Sequence, residues 1–168
     1  MHQQGSLTRR YTLQEKRMQK NFEIGKVVEI KLSNGQYCYA MVIREPLVAF
    51  SEQFFEEPQS DFDTMFDHSI FCLWVMKYAL GRKGWPKVGK VKSHPVFYQK
   101  HPFYKFDNTA KTFSIYSDGK ETPATREECL DLESAAVWDK HHVEDRLLAK
   151  SKGEACIWSA SLSAATRS

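Results

Sequence analysis

Apolar residues recur at every second position in FEIGKVVEIKLSNGQYCYAMVI, residues 22–43, where Val28, Ile30 and Leu32 alternate with Glu29 and Lys31. Side chains on an extended backbone point alternately to opposite faces, so this period predicts a strand with one buried face. Asn34 and Gly35 follow, a pair that tolerates the positive φ angles of a two-residue hairpin turn, and an antiparallel partner is expected beyond them. On that partner Tyr37, Tyr39, Met41 and Ile43 share one face while Cys38, Ala40 and Val42 share the other. Both faces are apolar, which predicts a central strand covered on two sides. Pro46 then interrupts the pattern with a bend or an edge position.

Two further runs have strand character: SIFCLWVM, residues 69–76, and TFSIYSDGKET from Thr112, which carries an Asp118-Gly119 turn. Between them, Pro86, Pro95 and Pro102 exclude a long helix from residues 81–106, and short extended pieces joined by turns are expected, with Trp85 plugging the core. After Pro123 the period changes. Thr125 and Glu128 fit a capping box, and Leu132, Ala136, Val143 and Leu147 fall at helix-compatible spacings. The expected fold class is α+β: a mainly antiparallel, curved or barrel-like sheet packed with a C-terminal helical segment. The expected boundaries are an N-terminal arm over residues 1–20 holding a short helix opened by Thr12 and Glu15, one α+β domain over 21–149, and a loosely ordered tail over 150–168 rich in Ser and Ala.

Composition narrows the function classes. The 168 residues are 42% hydrophobic, 27% charged and 13% aromatic, a folded chain with many aromatics to place. A net charge of +3 is too small to argue for nucleic-acid binding by itself. No stretch is apolar enough to span a bilayer, and the opening MHQQGSLTRRYTLQEKRMQK lacks the apolar core of a signal peptide, so a cytoplasmic protein is expected. Cys38, Cys72, Cys129 and Cys156 form no CxxC pair and read as reduced thiols, and no GxSxG elbow or phosphate-loop spacing is present. AAVWDKHHVEDRL, residues 135–147, holds the most suggestive cluster. Adjacent His141 and His142 diverge by about 100° on a helix and cannot share one metal, so Glu144 and Asp145 are expected to form ion pairs with Lys140 and Arg146 instead. Neither a metal, a cofactor nor an enzymatic activity is expected.

Charge is distributed unevenly. Glu52, Glu56, Glu57, Asp61, Asp63 and Asp67 follow one another without a Lys or Arg, interleaved with Phe54, Phe55, Phe62, Met65 and Phe66. Large apolar residues among like charges suit a partner-binding surface. Residues 81–106 are the converse: seven cations and no acid, with Trp85, Phe97, Tyr98, Phe103 and Tyr104 available to stack on bases. That segment supports an alternative reading as a nucleic-acid-binding module.

The order IGKVVEIKLSNGQYCYAMVI, then GWPKVGKV, then ECLDLESAAVWDKHHVEDRL resembles the immunity protein 26 family of bacterial polymorphic toxin systems, over about Phe22 to Leu148. The resemblance implies a non-enzymatic antidote, encoded beside a toxin, that binds the toxin's C-terminal domain and blocks its active site. Gly25, Gly35, Trp85, Gly89, Glu133, Trp138, Arg146 and Leu147 match the family pattern and look like positions that keep the fold. Nucleases are among the activities such toxins carry, and an inhibitor of a basic cleft benefits from carboxylates that imitate phosphate. The toxin-facing surface is therefore expected at Phe55, Glu56, Glu57, Asp61, Phe62 and Asp63.

Overall fold

The structure is a computed structural model that describes residues 21–168; the expected N-terminal arm and its capping box lie outside the described residues. A first sheet of six strands runs in the order β10-β4-β3-β2-β1-β5, from β1 (Lys26–Lys31), β2 (Tyr37–Arg44), β3 (Leu47–Ser51), β4 (Ile70–Val75), β5 (Lys87–Lys90) and β10 (Val137–Trp138). A second sheet of four runs β8-β7-β6-β9, from β6 (Phe103–Asp107), β7 (Thr112–Ser117), β8 (Lys120–Ala124) and β9 (Glu133–Ser134). Neighbours pair antiparallel except β10 with β4 and β9 with β6. The helices are α1 (Arg126–Cys129), α2 (Lys140–Ser151) and α3 (Ile157–Leu162). The α+β class holds. The barrel-like closure does not, because both sheets are open, the first ending on β10 and β5.

β2 is central, as its two apolar faces require. Tyr39, Met41 and Ile43 enter one buried cluster with Val27, Leu47 and Ala49, and Cys38, Ala40 and Val42 enter another with Val28, Ile30, Val48, Phe50 and Leu73. The first cluster is roofed by Phe62, Met65 and Phe66 of the acidic segment, by Val91 and Val96, and by Phe103 of the second sheet. The second is roofed by Val143 and Leu147 of α2 and by Trp85. Trp85 meets Phe50 edge-on at 6.0 Å and donates its indole N–H to Glu144 at 2.9 Å, so it does plug the core. The hairpin turn departs from expectation in length. Leu32 N–H bonds the Gln36 carbonyl and Gly35 N–H bonds the Leu32 carbonyl, so Ser33, Asn34 and Gly35 form a three-residue loop with Gly35 at φ 88°. A glycine in the left-handed region after a turn is the usual way such a loop closes.

Two readings of the C-terminal third are corrected. The capping box at Thr125 and Glu128 is present, but the helix it opens, α1, stops at Cys129. Leu132 and Ala136 lie outside any helix, and Trp138 is in a strand paired with Val75. Edge hydrogen bonding on two sheets competes with helix here: β9 pairs with β6, β10 pairs with β4, and α2 begins only where the Asp139 carboxylate accepts from His141 N–H at 2.8 Å. The tail is not loose. Trp158 of α3 stacks on His142 at 3.8 Å and donates to Asp145 at 3.0 Å, and Ala164 is fully buried against the second sheet. Tyr104 donates to the Leu162 carbonyl, and Lys111 donates to the Ser168 carbonyl at 2.8 Å. Its Ser/Ala composition hid two anchors, Trp158 and Ala164, whose partners come from distant strands and helices.

Candidate functional site

The acidic segment crosses the Tyr39 face of the first sheet, and Tyr39 is the post that holds it. This side chain is fully buried; its hydroxyl donates to Glu29 at 2.9 Å and accepts from Gln59 N–H at 2.6 Å. Burial pushes the phenol up to about 12. Its ring meets Phe55 edge-on at 5.9 Å and Phe62 at 5.3 Å. Phe55 also pairs through its backbone with Tyr37, in both directions at 2.8 and 2.9 Å. Phe62 is only 8% exposed and lies over Gly89, where an added Cβ would stand 2.7 Å from its ring. That close approach explains why a glycine occupies this position on β5.

With the aromatics turned inward, the carboxylates divide. Glu52 pairs with Lys150 at 2.8 Å and accepts from Ser69; burial works to raise its pKa, but these partners overcome it and hold the carboxyl below its ordinary range. Asp67 meets His94 at 3.0 Å. Glu56, Glu57, Asp61 and Asp63 are exposed. Glu56 accepts from the Gln36 amide at 2.9 Å, and Asp61 accepts from Asp63 N–H at 3.1 Å, which orders the turn. The six expected residues thus lie in one segment but in two roles: four carboxylates outward, Phe55 and Phe62 as anchors beneath. Sequence reasoning missed Tyr39; a tyrosine in the middle of a strand with two apolar faces was the available signal, since its hydroxyl must find partners at the sheet surface.

The basic segment offers little stacking surface. Trp85, Phe103 and Tyr104 are buried, Phe97 is half-buried, and Tyr98 alone of the five stands in solvent. Lys87 and Lys90 pair with Glu23 at 3.1 and 2.7 Å, and Lys105 pairs with Glu121 at 2.9 Å. Three of the seven cations are thus engaged with carboxylates and one of the five rings is exposed, which weakens the case for a single-strand track.

The histidine cluster resolves into packing. His141 is exposed and 3.4 Å from Glu144, while His142 is covered by Trp158. Burial works to raise the Glu144 carboxyl, yet Lys140 at 2.8 Å and the Trp85 N–H outweigh it and keep it ionised below the usual range. Arg146 grips Glu133 through two bonds of 3.1 and 2.5 Å and lies over Phe71 at 4.3 Å and Trp138 at 5.2 Å. The fork fixes α2 against β9. Burial pushes the Cys38 and Cys72 thiols up to about 12, far from a reactive thiolate. Among the described residues, no group of three or more His, Cys, Asp or Glu is arranged to hold a metal, and no helix is long and apolar enough to cross a membrane.

Comparison with known families then bears on the whole surface. Residues 23–115 match the family model of Immunity protein 26. The chain belongs to the Immunity protein 26 family. The matched span runs from just before β1 into β7, so it holds the acidic segment, Tyr39 and its anchors, together with Gly25, Gly35, Trp85 and Gly89. Glu133, Trp138, Arg146 and Leu147, which resemble the family pattern, lie beyond the matched residues of this Immunity protein 26 member. Comparisons with curated proteins and with solved structures found no match. Immunity families are in general non-enzymatic and act on a toxin.

Proposed function

We propose that this protein acts in the cytoplasm as a non-enzymatic inhibitor that binds the C-terminal domain of a neighbouring polymorphic or contact-dependent toxin and covers its active site. The observation that supports the reading most directly is the division of labour in residues 55–63: Phe55 and Phe62 bind the segment to Tyr39, while Glu56, Glu57, Asp61 and Asp63 face solvent from a braced backbone. Like charges held together repel one another, a cost that a basic partner removes. A toxin with a basic substrate cleft, as in a nuclease, meets in this ridge an imitation of its phosphate-bearing substrate.

The test is simultaneous reversal of Glu56, Glu57, Asp61 and Asp63 to Lys. Protection of cells expressing the toxin domain should be lost and association slowed by at least about tenfold, as expected when steering charges are reversed, with the melting temperature nearly unchanged. Full protection by this variant would refute the acidic ridge as the toxin-facing surface.

A further inference from the structure

We infer that Tyr98, on the segment that runs alongside the acidic one, is the apolar anchor of the partner-binding surface, taken up by the toxin domain whose basic cleft the ridge enters. This deepens the reading above and rests on it. The expected aromatic contacts, Phe55 and Phe62, are committed to Tyr39, which leaves the ridge without an exposed ring of its own. Tyr98 is 83% exposed, more than any other large hydrophobic residue among those described. The two segments run side by side: Phe62 lies on Gly89 at one end, and Asp67 meets His94 at the other, four positions before Tyr98.

The turn that carries Tyr98 is held from several directions. Residues Pro95–Phe97 form one 3-10 turn with proline at its start. The His94 ring accepts from Val96 N–H at 3.1 Å through Nδ1 and faces Asp67 through Nε2. His101 Nε2 lies 3.0 Å from the Val96 carbonyl, and Tyr98 N–H bonds the Pro95 carbonyl at 3.0 Å. Val96 is buried beneath, in the same cluster as Phe62 and Phe66. A ring presented on a fixed backbone loses little conformational freedom on binding, and tyrosine is among the residues that dominate interface energetics. Carboxylates alone would give rapid association without a water-excluding contact; a neighbouring ring supplies the slow dissociation that an antidote needs.

The experiment measures association and dissociation of the full chain with the purified C-terminal domain of the adjacent toxin, for wild type, Tyr98→Ala, Tyr98→Phe and Ile157→Ser. Ile157 is 72% exposed on α3, which packs on the opposite side of the first sheet, and serves as the control. Tyr98→Ala should weaken binding by about 30-fold or more, mainly through faster dissociation, as a hot-spot truncation does. Tyr98→Phe should retain most of the affinity, and Ile157→Ser all of it. Wild-type binding with Tyr98→Ala within about threefold overturns the assignment of Tyr98 and leaves the inhibitor reading standing, since threefold is below any hot-spot threshold. No binding by wild type overturns both.

Discussion

Replacing Phe62 by alanine separates the two roles within the acidic segment. The ring is nearly buried, contacts Tyr39 at 5.3 Å and lies on Gly89, in a cluster that includes Met41, Met65 and Phe66. Truncation to Ala returns on the order of 120 Å² of apolar surface to the balance, about 3 kcal/mol at roughly 25 cal/mol per Å². Loss of the aromatic pair adds about 0.5–1 kcal/mol. Collapse of the loop into the space recovers part of this, so about 3 kcal/mol is expected, at the lower end of buried Phe→Ala substitutions. With a urea dependence of about 2 kcal/mol per M, the unfolding midpoint should fall by about 1.5 M, read by tryptophan fluorescence. Asp61→Lys with Asp63→Lys should move the midpoint by no more than about 0.3 M, because both carboxylates are exposed. A Phe62→Ala midpoint within about 0.3 M of wild type would refute the inward placement of the ring and return Phe62 to the list of candidate partner contacts.

Two further outcomes are expected. The Glu23 carboxyl is held down at about 2 by hydrogen bonds from Lys90 and Lys87, so its pairing stabilises the fold fully above its ordinary range near 4.5 and is lost as pH falls toward 2. Melting temperatures of wild type and Glu23→Gln should differ above pH 4.5 and converge near pH 2, and the same gap at both ends would show that the ion pairs contribute nothing. Added salt should narrow the gap at neutral pH, because the pairs are partly exposed. Trp158→Ala should cost about 1–2 kcal/mol and open the segment after Gly153 to limited proteolysis, since the stack on His142 and the bond to Asp145 both vanish. Unchanged proteolysis would mean that the segment is held elsewhere.

Alternation along residues 26–44 was enough to determine a two-faced central strand, because side-chain direction along an extended chain has a fixed period of two. The Asn34-Gly35 turn, the Asp118-Gly119 turn, the strand in residues 69–76 and the capping box at Thr125 are equally local: each depends on residues a few positions apart. The oppositely charged segments and their aromatics were also legible as candidates. Only the tertiary structure decided which aromatics face inward, since Phe62 and Tyr98 look alike in a sequence and differ by whether Tyr39 and Gly89 lie beneath them. It likewise decided that Trp138 is a strand residue and that the Ser/Ala tail docks. Those outcomes rest on pairing between residues far apart in the chain, Trp138 with Val75 and Tyr104 with Leu162, and a hydrogen bond between distant segments leaves no periodic trace in either one.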